Sequence, residues 1–156
     1  MIIIGADHAG FDLKKRVINY LEENKIKYLD VTNYVYNKDD DYTDVAINIC
    51  KNVLENNENL GIAICGTGIG ISVACNKIKG IIATPCFNEY TASMVKKDNN
   101  SNVLCLGGRL EYSTDKTLIE KMVKTYINTE FSKERHLRRI NKIKDMEEKF
   151  GCNIWE

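Results

Sequence analysis

The 156-residue sequence has no surplus of either charge, since 22 Lys and Arg stand against 22 Asp and Glu. A protein held on nucleic acid or anionic lipid by bulk charge carries a basic excess, so neither partner is expected. No apolar run approaches the ~18 residues of a membrane span, and Met1-Ile2-Ile3-Ile4 stops at Gly5. Nothing resembles a signal peptide. Proline occurs once, at Pro85, which reads as lying just past a strand. No Pro/Ser-rich linker and no internal repeat divides the chain, so residues 1–150 read as one domain followed by a short tail, 151–156. The six cysteines (50, 65, 75, 86, 105 and 152) lack C-x-x-C pairing, and most sit in apolar segments such as 103–106. They read as reduced, buried thiols of a cytoplasmic protein, not as a disulfide frame or a zinc site.

What is present is apolar residues at 44%, enough to bury a sizeable core. Short apolar runs at 2–5, 28–31, 60–65, 81–84 and 103–106 read as strands. Between and after them, longer amphipathic runs at 10–24, 44–55, 71–77, 89–97, 115–128 and 133–150 read as helices. This alternation predicts an α/β doubly wound, Rossmann-like three-layer sandwich around a five-stranded parallel sheet. In such folds the ligand sits beyond the carboxyl ends of the strands. That rule selects Asp7-His8, Tyr42, Cys65 to Gly70, Cys86 to Asn88, and Gly107-Gly108-Arg109. Asp98-Asn99-Asn100 enters the last strand instead of leaving it.

The glycine-rich turn Gly66-Thr67-Gly68-Ile69-Gly70 joins a buried strand to a helix start, where free N–H groups favour an anion. Its G-x-G-x-G pattern is not G-x-G-x-x-G. No acidic residue ends the next strand and the Walker lysine is missing, so a nucleotide cofactor is not expected. A tight turn without a ligand explains the glycines equally well. Cys65 ends the strand facing that helix start, a position that suits a base or nucleophile and also a small core residue. Of two histidines, His8 follows Asp7 at a strand end, where either residue serves a site or a helix cap. His136 lies among Arg135, Arg138 and Arg139. Arg135 and Arg139 sit about 160° from Leu137, opposite an apolar stripe of Leu137, Ile140, Ile143, Met146 and Phe150. A solvated basic face is the usual reading of such a cluster. Together with Arg109, however, these forked guanidiniums suit a terminal phosphate. Nucleic acid suits them less, because no aromatic residues interleave with them.

Taken together, Gly5-Ala6-Asp7-His8-Ala9-Gly10, Asp41-Tyr42, the segment 65–72, Ala74-Cys75-Asn76-Lys77, Asn99 to Val103, Gly107-Gly108-Arg109 and Arg135-His136-x-x-Arg139 resemble the type B ribose-5-phosphate isomerases. That family also holds the galactose-6-phosphate isomerase subunits. The resemblance runs from residue 1 to about 149. It implies an aldose–ketose isomerase that interconverts ribose 5-phosphate and ribulose 5-phosphate through an enediolate, without metal or other cofactor. By resemblance Cys65 is the base and Thr67 assists at the sugar oxygens. The amides of Gly66, Gly68, Ile69 and Gly70 form the anion hole, and Asp7, His8 and Tyr42 line the pocket. Arg109, Arg135 and Arg139 anchor phosphate. Asn99, Arg135, His136 and Arg139 belong to a neighbouring subunit's site, which implies a homodimer or a tetramer with a C-terminal helix reaching its partner. One position departs from the pattern: Asp98 stands where the family usually carries a histidine credited with opening the sugar ring. Asp98 takes over that step, or His8 or water does, or the substrate differs. A hexose 6-phosphate isomerase and a silent sugar-phosphate-binding subunit are the alternatives.

Overall fold

The computed structural model describes residues 1–32 and 35–151; Asn33 at the start of the polar loop and residues 152–156 of the tail lie outside them. Strands β1 (Ile2–Ala6), β2 (Tyr28–Asp30), β3 (Leu60–Cys65), β4 (Ala83–Pro85) and β5 (Val103–Gly107) form one parallel sheet in the order β2-β1-β3-β5-β4. Helices α1 (Phe11–Glu23), α2 (Tyr42–Leu54), α3 (Ile69–Cys75), α4 (Glu89–Lys97), α5 (Lys116–Asn128) and α6 (Glu134–Phe150) follow the strands, as the alternation predicts.

Period-two strands send neighbouring side chains to opposite faces, which gives the sheet two cores. Ile2, Ile4, Ile62, Ile64, Leu104 and Leu106 meet α1, α4 and α5 on one face. Ile3, Ala63, Cys65, Val103 and Cys105 meet α2 and α3 on the other. Each aliphatic side chain buried this way contributes about 1.5–3 kcal/mol. Cys50, Cys65, Cys75, Cys86 and Cys105 are all buried and unpaired, in line with the thiol reading. No helix among the described residues is long and apolar enough to cross a membrane.

Three local readings change. Pro85 lies within β4 and not past it, which is tolerated because β4 is an edge strand with one side free of ladder partners. Helix α2 begins at Tyr42, two residues early, so Tyr42 stands in the first helical turn instead of in the loop. The buried line of α6 is His136 and Ile140 with Glu147 half-buried, whereas Leu137, Ile143, Met146 and Phe150 are exposed. The helix is rotated about one residue from its apolar stripe because polar bonds help to set its docking. Glu147 accepts the Gly80 amide at 3.0 and 3.1 Å, and Glu148 pairs with Lys79 at 2.6 Å.

Candidate active site

Four strand-end segments converge on one cleft of about 380 Å³, lined by Asp7, His8, Asp40, Asp41, Tyr42, Cys65, Gly66, Thr67, Gly70 and Arg109. The Cys86–Asn88 segment stays out of it. Phe87 instead lines a larger cavity of about 590 Å³ with Leu110, Glu111, Tyr112, Asp115 and Leu118. That cavity has more room, yet it holds no base beside the glycine loop, and the chemistry points to the smaller cleft.

Cys65 ends β3 at 4% exposure, and its Sγ accepts the Gly68 amide at 3.2 Å. The turn closes because Gly68 adopts φ +76°, a left-handed conformation that costs a residue with a Cβ. A Cβ there would also stand 3.1 Å from the Leu106 carbonyl carbon. Thr67 Oγ1 accepts the Ile69 amide at 3.3 Å. The loop after β5 is laced to this turn, with the Gly108 amide on Cys65 O at 2.8 Å and the Arg109 amide on Gly66 O at 2.9 Å. Close packing completes the wall. A Cβ on Gly66 would meet the Arg109 side chain at 3.3 Å, and one on Gly70 would meet the Tyr42 ring at 3.1 Å. The two glycines therefore let a guanidinium and a phenol ring lie against the backbone beside Cys65.

Asp7 and His8 form the opposite wall. The Asp7 carboxylate caps the following turn by accepting the Ala9 and Gly10 amides at 3.0 and 3.1 Å. Burial raises its pKa above the ordinary carboxylate value, against the opposing pull of those amides. His8 is held by Asp40, whose Oδ1 accepts both its backbone N–H at 2.7 Å and its ring Nδ1–H at 2.9 Å. That contact raises the imidazole's pKa above its ordinary value.

Asp40 escapes a reading of the sequence, which singles out its neighbour Asp41 from the run of three aspartates, 39 to 41. Tyr112 escapes it as well. Its hydroxyl accepts the Gly107 amide at 2.7 Å and donates to Cys86 O at 3.1 Å, tying the end of β5 to the residue that follows β4. Burial pushes its phenol up to about 12.

The remaining expected residues lie elsewhere in the chain. Asp98 caps the end of α4, with Asn99 next to it, where the chain turns back into the start of β5. Its Oδ1 lies 3.5 Å from His136 Nε2, and Arg135 Nε donates to the same nitrogen at 3.4 Å. Ser132 N–H fastens this corner to Lys97 O at 2.9 Å. Arg135 and Arg139 point away from the helix's buried line and are exposed. The group therefore stands at the amino ends of the strands and the Cys65 cleft at their carboxyl ends. β5 alone separates them by about 16 Å at roughly 3.3 Å per residue. One chain does not bring the two groups together.

A family model described as Ribose/Galactose Isomerase matches residues 2–143. The probable ribose-5-phosphate isomerase B of Mycoplasma genitalium is 38% identical over 143 residues, covering 91% of this chain and 92% of that protein. A solved structure of ribose-5-phosphate isomerase B from Mycoplasma genitalium with bound ribulose-5-phosphate superposes at a TM-score of 0.87 and 36% identity, covering 95% of this chain and 96% of the other. The Clostridium thermocellum ribose-5-phosphate isomerase B superposes at 0.86 and 36% identity, covering 96% and 98%.

Proposed function

This chain belongs to the ribose/galactose isomerase family and is a sugar-phosphate isomerase, and we propose that it interconverts ribose 5-phosphate and ribulose 5-phosphate with Cys65 as the base. The observation that carries the assignment is the Cys65 sulfur at a strand end, bonded to the Gly68 amide inside the cleft that also holds Arg109. In this reading Cys65 takes the proton from C2 of the open aldose, and the electron pair moves to O1 as an enediolate. The O2 proton passes to O1 by way of the Thr67 hydroxyl, and the same sulfur returns its proton to C1 as C2=O2 forms, which gives the ketose. N–H groups of the 66–70 turn and the Thr67 hydroxyl face the oxygens where charge develops, and preorganised donors there lower the barrier. Arg109 meets the phosphate, for which a guanidinium fork is well shaped.

The site is completed by a second copy of the chain. Its Asn99, Arg135, His136 and Arg139 supply the groups that one chain keeps at the far end of its own sheet, and Asp98 enters beside them. Two exposed apolar sets support this pairing: Ile69 and Val73 on α3, next to the glycine turn, and Leu137, Ile143, Met146 and Phe150 on α6. The buried, unpaired thiols suit a reducing cytoplasm.

A panel of aldose phosphates tests the substrate. Ribose 5-phosphate is expected to show the highest kcat/KM, above allose and galactose 6-phosphates. Preference for a hexose phosphate would reassign the substrate, and binding without turnover would contradict the isomerase reading.

A further inference from the structure

The loop between β2 and α2 brings a carboxylate to the cleft that the isomerisation step leaves unused. Asp40 Oδ1 accepts both the His8 amide and the His8 ring Nδ1–H. A carboxylate has no proton to donate in that bond, so Nδ1 carries the hydrogen and Nε2 is left as the atom that gains and loses a proton. His8 is 31% exposed and Asp40 26%, and both line the cleft with Cys65 and Arg109. The two segments that carry them are bound to each other just upstream. Thr32 Oγ1 accepts the Ala6 amide at 3.3 Å, and Asp30, bonded to Thr32 at 3.0 Å, pairs with buried Lys14 at 2.7 Å.

Resting on the isomerase reading above, we propose that His8 opens the sugar ring and that Asp40 is the positioning residue that fixes its tautomer. Ribose 5-phosphate in water is mostly a furanose, closed between C1 and O4, and C2–H becomes acidic only once C1 is an aldehyde. The protonated Nε2–H gives its proton to O4 as the C1–O4 bond breaks and its electron pair moves to O4. The anomeric hydroxyl releases its proton to water as C1=O1 forms, and water returns a proton to Nε2. Asp98 is the other residue to weigh for this step. A carboxylate is a poor proton donor near neutrality, and the Asp98 that a second copy brings to the cleft has its Oδ1 turned to His136 Nε2 at 3.5 Å.

The test uses the difference between the two sugars. Ribulose 5-phosphate cannot close a five-membered ring, because its O5 is esterified. For the wild-type protein the velocity from ribose 5-phosphate is expected to rise in proportion to enzyme concentration. For His8→Gln it levels off at the rate of spontaneous ring opening, while the velocity from ribulose 5-phosphate keeps rising. A second variant, Asp40→Asn, keeps the side chain's shape. Followed by NMR, the His8 titration is expected to shift down in it. Asp7, Asp41, Tyr42, Cys65 and Arg109, the other titratable groups of the cleft, remain in place. A His8→Gln velocity that stays proportional to enzyme from ribose 5-phosphate, or equal losses from both sugars, would overturn the assignment of ring opening. An unmoved His8 titration in Asp40→Asn would overturn the positioning role. A wild-type protein inert on both sugars would instead contradict the isomerase reading.

Discussion

The Gly68 amide donates to the Cys65 sulfur at 3.2 Å, and this bond exists because Gly68 adopts a left-handed backbone. Gly68→Ala places a Cβ in that conformation, at a cost of about 1–2 kcal/mol, and against the Leu106 carbonyl. We expect the melting temperature to fall by about 2–8 °C for a chain of this size. Turnover should fall as well, since the amide that orients the sulfur moves. A variant with wild-type stability and activity would show that the turn does not depend on this glycine.

Shared sites predict complementation. Cys65→Ala and Arg139→Ala are each expected to be nearly inactive alone. Random pairing of the two unfolded and refolded together leaves one intact site in each mixed dimer, or about a quarter of wild-type activity. No recovery, with mixed dimers shown to form, would place Arg139 outside its partner's site.

Lys14 and Asp30 form an ion pair with side chains 2% and 0% exposed. Breaking one side leaves a buried charge, so Lys14→Met should cost about 3–5 kcal/mol by chemical denaturation. Lys14→Met with Asp30→Leu should recover most of that loss. A single variant as stable as the wild type would mean that water reaches Asp30.

His8 has its pKa raised by the Asp40 contact, so the folded state holds that proton more tightly than the unfolded chain, whose value is near 6.5. The stabilisation is complete below that value and is lost as pH rises through the folded-state pKa. Comparing melting temperatures of wild type and Asp40→Asn across pH, we expect the gap to be widest just below 6.5 and to narrow above it. A gap that widens with rising pH would contradict the pairing.

The alternation of apolar runs and amphipathic segments is enough to specify a parallel sheet, and the strand-end rule picks out Cys65, Arg109, Asp7 and His8, which line one cleft. Those features are local, set by periodicity and by glycines at turns. The order of strands was not legible. β5 inserts between β3 and β4 through contacts between residues far apart in sequence. Asp40 was hidden for the same reason, since its loop register is decided by a bond to His8 across the cleft. The face that α6 buries was misjudged because hydrophobicity alone ranks Leu137 above His136. The bonds of Glu147 and Glu148 to the 79–80 turn are tertiary.

The central claim is that the Cys65 sulfur carries the proton between C1 and C2, and it is tested most directly by replacing that one atom. Purified Cys65→Ser and Cys65→Ala would be assayed on ribose 5-phosphate, with circular dichroism as the control for folding. Incorporation of deuterium from the solvent into the product would be followed beside the rate. We expect folded protein with turnover reduced at least ~100-fold, the lower end of what a positioned base contributes, and exchange lost in parallel. Near-wild-type turnover by folded Cys65→Ala would show that another group moves the proton.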